Sequence, residues 1–153
     1  MAKVIEGAKA PDFELESTQG AVRLSDFTGK LLVLYFYPKD DTPGCTNEAK
    51  EFSALAPKFD EAGVRVIGVS KDSLKSHEKF TAKYDLAVQL GADPQGKVVA
   101  AFESWVEKKL YGREYMGIDR STFLIQDGAI KRIWRKVKVA GHAQAVLDAV
   151  RAL

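Results

Sequence analysis

The chain has 153 residues, 46% of them hydrophobic and 29% charged, with a formal net charge of +2. At that length folding buries about 70% of the unfolded chain's surface, enough for one substantial core. The near-balance of basic and acidic residues demands no anionic partner. No apolar run is long enough to span a membrane, and a single cysteine excludes an internal disulfide and suits a reducing cytoplasm.

Met1-Ala2-Lys3-Val4 leads into no signal-peptide apolar region. No repeat, low-complexity tract or linker divides the chain, so residues 1–153 read as a single domain. Asp12 to Glu16 alternates polar and apolar, as does Val22-Arg23-Leu24; with Gly20 between them they read as a short hairpin. Ser25 to Lys30 is a turn. Leu31 to Tyr37 is an unbroken apolar run, the mark of a central strand covered on both faces. Pro38 ends it, since proline cannot donate to a sheet ladder.

Thr46 to Phe59 reads as a helix whose start signal is Thr42-Pro43. Thr42 caps with its hydroxyl, and Pro43 sits where a missing N–H costs nothing. Ala49, Phe52, Leu55, Ala56 and Phe59 share one face; Pro57 bends the last part and Gly63 ends it. Val64 to Val69 is a second buried strand. Asp72 and Ser73 cap the next helix, which buries Leu74, Phe80 and Tyr84. Ala87 to Leu90 is a short strand or extended loop, and Asp93 to Gly96 is turn chemistry. Lys97 to Trp105 reads as a helix with Val98, Ala101, Phe102 and Trp105 inward, and Lys109 to Met116 as extended chain. Thr122 to Ile125 and Ala129 to Val137 form a hairpin around Asp127-Gly128. His142 to Leu153 is a terminal helix with Val146, Leu147, Val150 and Leu153 as its stripe. Buried strands joined by helical crossovers, then a hairpin and a helix, make an α/β sandwich.

Cys45 falls at the third helical position, facing the free N–H groups of the first turn and the positive end of the helix dipole. A thiolate there is stabilised and becomes a nucleophile at neutral pH. The competing reading is a small, buried, inert thiol, a common fate of free cysteines; spacing alone does not decide between them.

Pro38-x-x-x-Thr42-x-x-Cys45 resembles the active-site signature of the peroxiredoxins, thiol peroxidases of thioredoxin-like fold. The similarity extends to Gly7 to Phe13, Leu34 to Pro38, Gly68-Val69-Ser70 and Tyr115 to Ile125. It is closest to the bacterioferritin-comigratory, or Q-type, branch and spans nearly the whole chain. The resemblance implies a central mixed β-sheet flanked by helices, with an N-terminal β-hairpin. It implies that Cys45 reduces hydrogen peroxide and organic hydroperoxides and becomes a sulfenic acid, without metal or other cofactor. Gly44 and Cys45 would supply backbone N–H donors, Thr42 a hydroxyl that orients the peroxide, and Pro38 a shield for the thiolate. Arg120 is carried over as the active-site arginine, and Glu48 as the carboxylate that holds it. Without the family both would read as solvated surface charges.

Many Q-type members place a resolving cysteine where Lys50 stands, and others on the following helix; this chain has neither. Cys45 therefore needs an outside thiol, from thioredoxin, from glutathione with glutaredoxin, or from another copy. A monomer or weak homodimer is expected. A redox sensor or chaperone that uses Cys45 without efficient turnover is the alternative from another class. His77 and His142 have no metal-ligand spacing and no setting for a cysteine hydrolase. A phosphatase-like loop would want an arginine where Glu51 stands, and a glycine-rich cradle is absent. The basic stretch Lys131 to Lys138 splits into one parity of Ile133, Arg135 and Val137 and another of Arg132, Trp134, Lys136 and Lys138. That pattern fits a strand with one wet face better than a nucleic-acid site.

Overall fold

A computed structural model of the chain describes residues 3–153, so the expectation for Met1 and Ala2 lies outside the described residues. Its centre is a mixed seven-stranded sheet in the order β2-β1-β5-β4-β3-β8-β9. The strands are β1 (Glu14–Ser17), β2 (Val22–Arg23), β3 (Leu31–Phe36), β4 (Val64–Ser70), β5 (Gln89–Ala92), β8 (Ser121–Gln126) and β9 (Ala129–Trp134). β3 runs parallel to β4 and antiparallel to β8, pairing Val33 with Val66 and with Leu124. The N-terminal hairpin β1–β2 closes one edge by pairing antiparallel to β5.

β3 is hydrophobic on both faces because both are covered. Leu32, Leu34 and Phe36 enter one core with Phe13, Leu15, Ile67, Val69, Val99, Phe102, Phe123 and Ile125. Val33, Tyr35 and Tyr37 enter the other with Cys45, Phe52, Phe59, Phe80, Leu124, Val146 and Leu147. The second core is roofed by α1 (Pro43–Ala54), α2 (Ala56–Glu61), α3 (Leu74–Tyr84) and α5 (His142–Arg151); the first receives α4 (Lys97–Ala101).

The expected helix begins at Pro43, at its Thr42-Pro43 start signal, but over the span to Phe59 it is two helices. Pro57 lies in the first turn of α2, where its missing N–H is harmless, and the chain breaks at Leu55 (φ −92°, ψ 0°). The expected helix over Lys97 to Trp105 stops at Ala101, which is exposed. Glu103 turns to φ +57°, and Trp105 opens β6 (Trp105–Leu110), paired with β7 (Arg113–Ile118) as a separate two-stranded sheet. Tyr111 and Gly112, both at positive φ, form its tight turn. Trp134, expected on a wet face, is half-buried and meets His142 edge-on at 5.8 Å. Leu153, expected in the terminal stripe, is exposed.

Candidate active site

β3 delivers the chain to the site. Tyr37 still donates its N–H to Val69 O at 3.1 Å, and Pro38 then ends the ladder. α1 starts at Pro43, which places Cys45 at its third position, as the spacing predicted. The first helical bond runs from Thr46 N to Thr42 O at 2.8 Å. Among the described residues no protein acceptor takes the N–H groups of Gly44 and Cys45. These two donors remain available to an oxygen bound beside the sulfur.

Thr42 occupies the N-cap position, but the expected hydroxyl cap is not made. Its Oγ1 donates instead to Lys39 O at 2.8 Å, which tightens the loop before the helix. The bond uses the hydroxyl proton and leaves oxygen lone pairs to accept one. Pro38 is exposed beside this loop.

Cys45 is 2% exposed, close to the sealed environment that would make a thiol inert. A charge beside it changes that reading. Arg120, entering just before β8, places Nη2 3.4 Å from Cys45 Sγ and Nη1 2.7 Å from Glu48 Oε1. Sequence spacing could not show this contact, which spans 75 residues. Gly44 makes room for it: a β-carbon there would sit 3.2 Å from Arg120 Nη2. The Arg120 carbonyl also accepts from Val137 N at 2.9 Å, fixing its backbone against the segment after β9.

Glu48 is no surface charge. It is 2% exposed, and its Oε2 has no partner among the described residues. Burial pushes its carboxyl up to about 7, outweighing the pull of the Arg120 guanidinium. Burial works against the Arg120 charge too, but Glu48 and Cys45 outweigh it and raise the guanidinium further. His142, missed as a site residue, accepts or donates through Nε2 to Thr122 Oγ1 at 2.8 Å. Burial, with the Arg120 charge, lowers it to about 4, so it is neutral at pH 7. Beneath the sulfur, Tyr35 stacks on Phe52 with centroids 4.5 Å apart, and its buried hydroxyl has no partner among the described residues. The ring fits only because Gly68 stands opposite, where a β-carbon would come within 2.4 Å of it. Nothing in the sequence marked His142 or Tyr35 apart from ordinary core residues.

A lone thiol, an arginine on it, a carboxylate on the arginine and free amides at a helix start form one small site. A family model described as the AhpC/TSA family matches residues 7–133. The chain is 53% identical to peroxiredoxin Bcp of Xanthomonas campestris over 125 residues, covering 81% of this chain and 78% of that protein. The chain belongs to the AhpC/TSA family of peroxiredoxins. Among other peroxiredoxins, it is 49% identical to peroxiredoxin Bcp of Bacillus subtilis over 95% of this chain and 94% of that one. Solved structures agree. Xanthomonas campestris peroxiredoxin Q superposes with a TM-score of 0.87 at 48% identity, covering 92% of this chain and 90% of that one. A Xylella fastidiosa PrxQ mutant superposes with a TM-score of 0.92 at 40% identity, covering 99% and 98%. This peroxiredoxin fold is thus the thioredoxin-like α/β arrangement expected from the resemblance. No helix among the described residues is long and apolar enough to cross a membrane.

Proposed function

We propose that the protein is a one-cysteine peroxidase that reduces hydrogen peroxide and organic hydroperoxides at Cys45 and is recycled by an external thiol. The observation that carries this reading is the Arg120 guanidinium 3.4 Å from the only sulfur nucleophile, with Glu48 holding its other side. A solved structure of the Xanthomonas campestris bacterioferritin comigratory protein is described in terms of alkyl peroxide reduction, which supports the same substrate class here.

The Cys45 thiolate attacks one peroxide oxygen in line with the O–O bond. An S–O bond forms, the O–O bond breaks, and the other oxygen departs as alkoxide or hydroxide and takes a proton from solvent. Sulfur is oxidised to sulfenic acid and the peroxide is reduced to alcohol or water. Gly44 and Cys45 N–H donate to the bound oxygens, and Arg120 balances charge at sulfur and along the breaking bond. Thr42 Oγ1 accepts a hydrogen bond from the peroxide while donating to Lys39 O. Pro38 walls the entrance, and Glu48 fixes Arg120. An external thiol then attacks the sulfenic sulfur, releasing water and leaving a mixed disulfide, which a second thiol resolves.

The chain has no other cysteine, so the resolving thiol comes from thioredoxin, from glutathione with glutaredoxin, or from a second copy. We place the protein in the cytoplasm, where such reductants keep a lone thiol reduced, acting as one domain and as a monomer or weak homodimer. Peroxide consumption, assayed with thioredoxin and separately with glutathione plus glutaredoxin, should show turnover with one of them. Cys45→Ser should abolish it while far-ultraviolet dichroism stays native. Retained turnover in that variant overturns the mechanism; rapid sulfenic acid formation without turnover in either system points to a sensor.

A further inference from the structure

The loop before α1 is held by a buried cluster that the chemistry above does not use. Asp40, 7% exposed, accepts from Tyr37 Oη at 2.6 Å and from Ser76 Oγ at 2.8 Å, and lies 2.7 Å from His77 Nδ1. His77 is fully buried, and its Nε2 lies 2.9 Å from Gly91 O. A carbonyl has no proton to give, so Nε2 donates to it. The Asp40 contact then requires a second proton, between Nδ1 and Oδ2. The pair thus keeps one proton between them in a place that water does not reach, and each needs the other to stay satisfied.

The same loop is gripped elsewhere along α3. Asp72 Oδ2 accepts from Asp40 N at 2.9 Å and from Ser70 Oγ at 2.6 Å, rather than capping α3, which Ser73 does. Asp41 sits at φ +56°, a conformation that costs a residue with a β-carbon, and Lys83 and Tyr84 in the last turn of α3 hold its carboxylate. The first turn of α3 therefore holds Asp40, and its last turn holds Asp41. Thr42 and Pro43 follow at once.

We propose that Asp40, clasped by His77, Tyr37 and Ser76, is a positioning residue that fixes where α1 begins and so aims the Gly44 and Cys45 N–H groups at the thiolate. The proposal rests on the peroxidase reading of Cys45. A misplacement of about 1 Å at a reacting group can cost on the order of a hundredfold in rate, and Asp40 is only five residues from the sulfur. A cluster that merely supports the core would change stability and leave the sulfur's reactivity alone.

The test compares rates of Cys45 oxidation by hydrogen peroxide, and alkylation against pH, in the full chain and its variants. Asp40→Ala is expected to slow oxidation by at least about tenfold and to move the alkylation midpoint to higher pH. Asp40→Asn keeps the shape, and its amide N–H donates to His77 Nδ1 while Nε2 still donates to Gly91 O; near-parental rates are expected. Should Asp40→Ala not fold, the double variant Tyr37→Phe with Ser76→Ala loosens the same clasp and should show the same two changes, smaller. Folded loosened variants with parental oxidation and alkylation overturn the proposal. So does an Asp40→Asn variant as impaired as the loosened ones, because charge rather than position would then matter. Failure of the peroxidase reading itself appears separately, as a parent protein whose Cys45 does not react with peroxide.

Discussion

On one face of the sheet Phe102 packs against three other phenylalanines, with centroids 5.0 Å from Phe123, 5.4 Å from Phe36 and 6.3 Å from Phe13. On the other, Tyr35, Tyr37 and Phe52 share their space with Cys45, Glu48, Thr122 and His142. Both faces are covered, yet among the described residues the unpaired buried side-chain polar atoms, Tyr35 Oη, Glu48 Oε2 and Thr81 Oγ1, all belong to the second. An apolar core gains stability from burial, whereas a desolvated carboxyl, imidazole and thiol cost it. The first face holds the sheet together, and the second uses that stability to keep charged groups close to one sulfur.

If the two faces divide the work this way, substitutions should separate rate from stability. Arg120→Ala removes the cation at sulfur and should slow oxidation of Cys45 by about a hundredfold, with the alkylation midpoint moving to higher pH. Stopped-flow oxidation checks this, and unchanged rates would detach Arg120 from the chemistry. Phe102→Ala on the opposite face should cost about 3–5 kcal/mol in urea unfolding, with the oxidation rate of the folded protein kept. A slowed reaction with stability intact would break the division.

The pH dependence sharpens the comparison within the second face. Glu48 is raised from 4.5 to about 7, so its contribution to stability is complete below 4.5 and is lost as pH rises through about 7. His142 is lowered from 6.5 to about 4, so its contribution is complete above 6.5 and is lost as pH falls through about 4. Between those limits the two oppose each other. Urea unfolding of the parent should vary little from pH 4.5 to 6.5 on their account. Glu48→Gln removes the descending arm, and its stability should climb with pH over that interval; a profile parallel to the parent's would contradict the assignment. The smallest effect is expected from Gly44→Ala. Its new methyl would press on Arg120 Nη2 at 3.2 Å and should slow oxidation about twofold to fivefold without measurable unfolding. An unchanged rate would show that Arg120 shifts without consequence.

Much of the scaffold could be read from residue order. The double-sided burial of β3 showed in its unbroken apolar run, and the Asp127-Gly128 turn in its dipeptide. The β6–β7 hairpin did not show, because most of its side chains are exposed on both sides and leave no alternation of polar and apolar residues. The two-helix break at Leu55 was visible only as a bend at Pro57. The Thr42 cap is not made: the hydroxyl turns to donate to Lys39 O, an acceptor created by the loop's fold, and its oxygen accepts from no first-turn N–H.

Local signals set what is local. Residue order was enough to put Cys45 in the first turn of a helix fed by a buried strand, since proline, threonine and hydrophobic period act over a few residues. It took the folded chain to bring Arg120 to the sulfur, to bury Glu48 and to set His77 against Asp40. Those contacts join residues 75, 72 and 37 positions apart. What a charged side chain does depends on how much water its final neighbours remove, and that is fixed only when the sheet closes.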